Sequence, residues 1–126
     1  MTFFFDNTFP PQLVTILKAL KVDARHLQED FAADTPDVDW LPEVGKRGWI
    51  VVTGDRRISK KPPERKALEE ANVIAVFMAK GFTSKPIFDL VASFIKWWPD
   101  IERAVAHVKP GTSLEVSVNG KVDILT

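Results

Sequence analysis

Three short apolar runs constrain this chain more than any other feature. Thr2–Phe5 (TFFF) stops at Asp6, Trp49–Val52 stops at Thr53-Gly54-Asp55, and Val73–Met78 ends shortly before Gly81. Runs this short with no polar alternation read as strands covered on both faces, which is the condition of a parallel sheet between two helical layers. Val22–Leu27 reads as a further strand. The segments between them are helical in period. Pro10 and Pro11 open a helix that carries Leu13, Val14, Leu17 and Leu20. Asp34-Thr35-Pro36 opens a second, with Trp40, Leu41 and Val44, ending near Gly45 or Gly48. A third spans about residues 64–70.

Thr83 or Ser84 caps a long helix from Lys85 to about Trp98, with an apolar face of Ile87, Phe88, Val91, Phe94, Ile95 and Trp98. Pro99 is an expected interruption, after which residues 101–108 continue as helix to Pro110-Gly111. The tail changes period: Leu114, Val116 and Val118 alternate with polar residues, and Asn119-Gly120 predicts a hairpin with a two-residue type I′ turn. The expectation is an α/β fold, a mostly parallel sheet with helices on both faces and a C-terminal β-hairpin. No repeat and no long linker divides the 126 residues, so one domain is expected.

Charge narrows the chemistry. Seventeen basic and seventeen acidic residues cancel, which excludes a globally basic nucleic-acid binder. Their distribution is uneven: Asp23–Glu43 holds seven acids and one Arg, whereas Arg56–Lys66 holds six basic residues and only Glu64. With no cysteine, thiolate metal sites, iron–sulfur clusters and a cysteine nucleophile are excluded. The first residues lack a basic segment ahead of a short apolar run, so no signal peptide is expected. No stretch reaches roughly 18 apolar residues, so no membrane span is expected either. The expected location is cytoplasmic.

In open parallel sheets, functional groups collect outside the carboxyl ends of the strands. Asp6 follows the first strand, and Asp55 follows the third, with two residues between it and the last valine. If those strands are neighbours where strand order reverses, both carboxylates face one crevice. Asp37, in the first turn of the helix leading into the third strand, lies at the same edge. Three carboxylates from three elements form an oxygen-only set suited to Mg²⁺ or Mn²⁺, which can activate water and stabilise a departing oxygen. Each also has an ordinary explanation, as a turn residue or a helix-start acid.

Asn7 is a supporting candidate or a cap for the next helix, and Thr53 a companion to Asp55. Asp34 and Asp39 are alternates to Asp37, and Asp89 is expected to face solvent. Arg56, Arg57, Lys60, Lys61 and Arg65 place phosphate-binding charge beside the carboxylates, or form a solvated loop. His26 and His107 lack a second histidine at ligand spacing and read as structural. One of Trp97 and Trp98 is expected in the core; the other, if exposed, would mark an oligomer or partner surface.

Phe3–Asn7 (FFFDN) and Pro36–Ile58 (PDVDWLPEVGKRGWIVVTGDRRI), with the strand-and-helix order between them, resemble the PIN-like nuclease domains. Within these, the chain is similar to the VapC-like toxins of bacterial toxin–antitoxin systems and their relatives. The resemblance covers residues 2 to about 105. It places the family's first acid on Asp6, the acid heading the middle helix on Asp37, and the acid of the Thr-x-Asp turn on Asp55, with Thr53 beside it. It implies a PIN-like three-layer sandwich: residues 1–110 as the nuclease domain and 111–126 as a hairpin extension of it.

It further implies a ribonuclease using Mg²⁺ or Mn²⁺, an RNA substrate, a protein antitoxin partner and a homodimer. Two departures stand out. Where larger members carry a fourth acid, this chain has the basic Arg56-Arg57-Ile58-Ser59, and the C-terminal hairpin is extra. The alternative is therefore a catalytically inactive PIN-like RNA-binding or regulatory module. A phosphoacceptor receiver would also use an Asp after a parallel strand, but would want an acidic pair where Phe5-Asp6-Asn7 offers one acid.

Overall fold

The computed structural model describes residues 1–125. Its elements are β1 (Phe3–Phe5), α1 (Pro11–Ala19), β2 (Ala24–His26), α2 (Leu27–Asp30), α3 (Asp37–Lys46), β3 (Ile50–Thr53), a 3₁₀ turn (Arg56–Ser59), α4 (Pro62–Ala71), β4 (Ala75–Met78), α5 (Ile87–Ala106), β5 (Ser113–Val116) and β6 (Val122–Ile124). One six-stranded sheet runs in the order β2-β1-β3-β4-β5-β6, parallel except for the β5–β6 hairpin. Strand order reverses between β1 and β3, which pair directly, so the strand ends that carry Asp6 and Asp55 are neighbours.

The apolar runs divide by strand alternation, as a pleated sheet requires. Phe3, Phe5, Ile50, Val52, Val76 and Met78 point toward α1 and α5, and Phe4, Val51, Ala75 and Phe77 toward the side of α3 and α4. Each face has a tryptophan anchor: Trp98 lies edge-on to Phe3 at 4.7 Å between ring centroids, and Trp40 tilts against Phe4 at 5.0 Å.

Helix ends differ locally from the sequence expectation. α3 passes through Gly45 and ends at the Arg47 cap, with Gly48 at φ +68° just beyond it. Gly45 instead marks a close approach. A Cβ there would lie 2.6 Å from the Ala71 carbonyl oxygen of α4, so the two helices touch backbone to backbone. α5 is unbroken through Pro99, and its buried stripe is Leu90, Phe94, Trp98, Ile101 and Val105. Ile87, Phe88 and Ile95, expected in the core-facing stripe, are exposed. The helix is apolar over two adjoining faces, and a moment argument cannot choose between them.

The hairpin also departs in detail. Gly120 takes φ +90° while Asn119 does not take a positive φ, so the turn is not type I′. The Gly120 N–H donates to the Ser117 carbonyl at 2.9 Å and the Ser117 N–H to the Lys121 carbonyl at 2.8 Å, closing a three-residue loop. Packing accounts for the glycine: a Cβ on residue 120 would fall 2.4 Å from Trp97 Nε1. Trp97 is thus half-buried under the hairpin turn and against Phe82, so neither tryptophan of the pair is exposed.

Gly45→Ala tests the α3–α4 contact. Forcing a methyl group onto the Ala71 backbone is expected to cost about 1–3 kcal/mol, above the roughly 1 kcal/mol that alanine's helix propensity supplies. A lower urea midpoint at unchanged m-value is the expected result.

Candidate functional site

Asp6 leaves β1 directly into the crevice and is buried, at 3 % exposure. Burial is affordable because both carboxylate oxygens are answered. The Thr53 hydroxyl donates to Oδ2 at 2.5 Å, and the hydroxyl and N–H of Thr8 donate to Oδ1, the N–H at 3.1 Å. These donors are themselves held in place: the Thr8 hydroxyl accepts from the Gly54 N–H at 2.8 Å, and the Thr53 hydroxyl from the Asp55 N–H at 3.0 Å. Hydrogen bonds from threonines do not replace water fully. Desolvation pushes the Asp6 pKa up to about 6 against their opposing effect, and the nearby Asp37 charge raises it further.

Asp37 heads α3, half-buried, and its Oδ1 accepts from Trp40 Nε1 at 3.1 Å. Its pKa is raised, first by desolvation and then by the Asp55 charge, with a further push from Glu64. Asp34 and Asp39 are exposed, so of the three acids on this segment Asp37 alone is drawn toward the crevice. Asp55 behaves oppositely. Arg57 closes on it as a fork, Nε to Oδ1 and Nη2 to Oδ2, both at 2.9 Å, while the Arg57 N–H also donates to Oδ1. This guanidinium holds the Asp55 carboxyl below its ordinary value.

The three expected carboxylates are therefore gathered at one edge of the sheet and coupled through Asp37, but they do not close on one point. Among the described residues, no group of three or more Asp, Glu, His or Cys side chains is close enough to hold a metal ion. Asp6 and Asp37 have no cation within salt-bridge distance among these residues. That pair is the part of the set suited to a hard cation. Mg²⁺ commonly binds one or two carboxylates and completes its shell with water and substrate phosphate.

Two participants escaped the sequence reading. Thr8 could have been found from Asp6-Asn7-Thr8, where an Asp can accept from the N–H two residues on. Glu64, in the first turn of α4, brings a fourth carboxylate whose charge bears on both Asp37 and Arg57; its Oε2 is buried without a hydrogen-bond partner. Its signal was an acid at the start of the helix leaving the Asp55 turn. Asn7 neither caps α1 nor enters the crevice network. It links the Ala33 carbonyl (2.6 Å) and Gln28 (3.1 Å), tying the α2–α3 loop to the end of β1.

The basic run is split. Arg57 and Lys61 stand near Asp55, whereas Arg56, Lys60 and Arg65 line a different hollow. His26 is a satisfied core histidine. Its Nε2 donates to the Phe9 carbonyl at 2.8 Å and its Nδ1 accepts from the Gln28 N–H at 3.1 Å, capping α2. His107 is exposed and bonds the Arg103 carbonyl. Asp89 faces solvent as expected.

A crevice of acids at the carboxyl edge of a doubly wound parallel sheet is an arrangement shared by several classes of hydrolase and phosphotransfer protein. A family model described as "PIN like domain" matches residues 1–80, and the chain belongs to this family. The matched segment contains β1 through β4 and all four crevice acids. Comparison with curated proteins and with solved structures gave no match. Among the described residues, no helix is long and apolar enough to cross a membrane.

Because Asp6 holds its proton more tightly folded than unfolded, its contribution is most favourable below the ordinary value near 3.8 and is lost as pH rises through about 6. A shift of that size corresponds to about 3 kcal/mol of destabilisation once the group is ionised. Asp6→Asn is therefore expected to be more stable than wild type at pH 8, by about 1–3 kcal/mol, with the gain vanishing near pH 4. Urea unfolding at the two pH values measures it; equal destabilisation at both would show that the threonine hydrogen bonds outweigh desolvation.

Proposed function

We propose that this chain is a divalent-metal-dependent endoribonuclease, hydrolysing RNA phosphodiester bonds in the crevice between β1 and β3. The observation that carries this reading is the buried Asp6, its pKa raised beside Asp37, with neither carboxylate in an ion pair among the described residues. A fold that keeps two coupled carboxylates without an ion pair gains most from a bound Mg²⁺ or Mn²⁺. Asp6 and Asp37 would hold the ion, which supplies an activated water and charge stabilisation at the phosphate when bound.

The remaining residues act around that pair. Thr53 and Thr8 fix the orientation of the Asp6 carboxylate, so its oxygens need no reorganisation on loading. Asp55 orients Arg57 through the two-point fork, and Lys61 adds positive charge nearby. Both cations are suited to a phosphate whose negative charge grows as water attacks and the departing sugar oxygen leaves. Asp55 is thus either a third ion ligand once Arg57 moves to substrate, or the residue that positions Arg57.

The reading predicts one magnesium or manganese site in wild type by isothermal titration, abolished in both Asp6→Asn and Asp37→Asn. Manganese-dependent RNA cleavage should fall in parallel, by a factor of about 10²–10⁴, the range for losing a group that stabilises the transition state. RNA binding without hydrolysis in either ion would instead establish the non-catalytic module. The Arg57–Asp55 fork specifically favours that second reading, because it already occupies one of the expected ligands.

The finer assignment, a VapC-like toxin acting in the cytoplasm with a protein antitoxin and as a homodimer, is proposed on the sequence resemblance. For the homodimer there is a candidate surface. Phe88, 86 % exposed, projects beside an apolar hollow of about 430 Å³ formed with Ile16, Ile87, Val91 and Ile95. A knob beside its own hollow suits a two-fold contact, in which each copy fills the other. Phe88→Asp is expected to convert a dimer into a monomer in light scattering coupled to size exclusion, with the melting profile of the dilute protein unchanged.

A further inference from the structure

The two halves of the basic run face different places. Arg57 and Lys61 stand at the acidic crevice, but Arg56, Lys60 and Arg65 line a groove of about 600 Å³ between α4 and the β4–β5 edge. The groove is a consequence of topology. β5 buries Leu114 and Val116 against the α1–α5 side, while Ser113 and Glu115 on its opposite face remain only partly covered. α4 packs toward β4 through Ala67, Leu68 and Ala71 and is the last helix on that side. Phe77 gives the groove an apolar wall, and Ser59 and Ser113 contribute polar lining.

Its positive charge is incompletely answered. Arg65 pairs with Glu69 at 3.1 Å, both exposed. Arg56 pairs with Glu115 and lies 5.4 Å from the centroid of the Phe77 ring, yet its Nε is buried with no hydrogen-bond partner. Lys60 has no ion pair among the described residues. A buried donor without an acceptor is costly, so Arg56 is held here with hydrogen-bonding capacity unmet.

We propose that this groove is a second phosphate subsite, holding the backbone of a single-stranded RNA whose scissile phosphate lies in the crevice. It rests on the ribonuclease reading for the direction of the strand. Arg56 and Arg57 are consecutive residues of the one 3₁₀ turn, so a single rigid turn carries a cation to each place. Lys and Arg contacts of this kind position a backbone and read no sequence. The groove therefore adds affinity that is salt-dependent and indifferent to base identity.

The test is fluorescence anisotropy of a labelled single-stranded RNA of about ten nucleotides, in EDTA so that nothing is cleaved, over a range of salt. Wild type is compared with Lys60→Glu/Arg65→Glu, both exposed positions, and with a charge-matched control, Lys46→Glu/Lys66→Glu, outside the groove. Circular dichroism establishes that both doubles are folded. The groove double is expected to bind about tenfold or more weakly, with a salt slope shallower by about 1.4, or 0.7 per lost contact. The control is expected to change much less. Unchanged binding in the groove double, or an equal loss in the control, overturns the proposal.

Cleavage in manganese separates this from the reading it rests on. A wild type that cleaves, with a groove double that binds normally, removes the subsite and leaves the nuclease. A wild type that does not cleave, with binding lost only in the groove double, removes the nuclease and leaves the groove as an RNA-binding surface.

Discussion

Phe5 lies opposite Val52 in the parallel pairing of β1 with β3, and the rest of the site depends on that register. It sets Asp6 beside Thr53, so the hydroxyl of one strand end answers the carboxylate of the next. Slipping the pairing by one residue would turn Phe3 and Phe5 from the α1–α5 layer to the α3–α4 layer. Two apolar cores therefore fix the register, and the register brings a carboxylate and a threonine into contact at the sheet edge. Stability and chemistry share one constraint.

The crevice then separates its acids by environment. Asp6 is deep, hydrogen-bonded by neutral groups and raised; Asp55 is near the surface, gripped by Arg57 and lowered; Asp37 lies between, raised by burial and by its neighbours. Carboxylates pushed in opposite directions within one crevice take different roles. Here the division is between a pair without a direct ion pair and an acid that already has one. The same 3₁₀ turn that carries Arg57 to Asp55 carries Arg56 to Phe77 and Glu115. One helical turn thus links the crevice to the groove behind it.

Much of the fold was legible because its signals are local. Phe3–Phe5 and Trp49–Val52 are apolar without alternation, and only a doubly covered strand accommodates that. Gly48 just past α3 and the prolines opening α1 and α4 are single-residue signals of backbone conformation. What was illegible involved a choice between equivalent local options. α5 is apolar over more than one face, so whether Phe88 or Leu90 enters the core is decided by where α1 and the sheet stand. Asn119-Gly120 suits a type I′ turn, but the Ser117 hydroxyl on Asn119 and Trp97 beneath Gly120 select another. Glu64 stands in the sequence as the one acid of a basic run at a helix start, and nothing local shows that this start lies beside Asp37.

By itself the sequence determined the layer architecture and offered Asp6, Asp37 and Asp55 as candidates for chemistry at the strand ends; the strand order that makes β1 and β3 neighbours came with the tertiary structure. Periodicity and turn chemistry are encoded within a few residues. Only the tertiary structure decided that Arg57 closes on Asp55, that Asp6 is enclosed by Thr8 and Thr53, and that Arg56 and Lys60 turn away from the crevice. Those outcomes depend on distances between elements far apart in the chain, where burial and charge act through space.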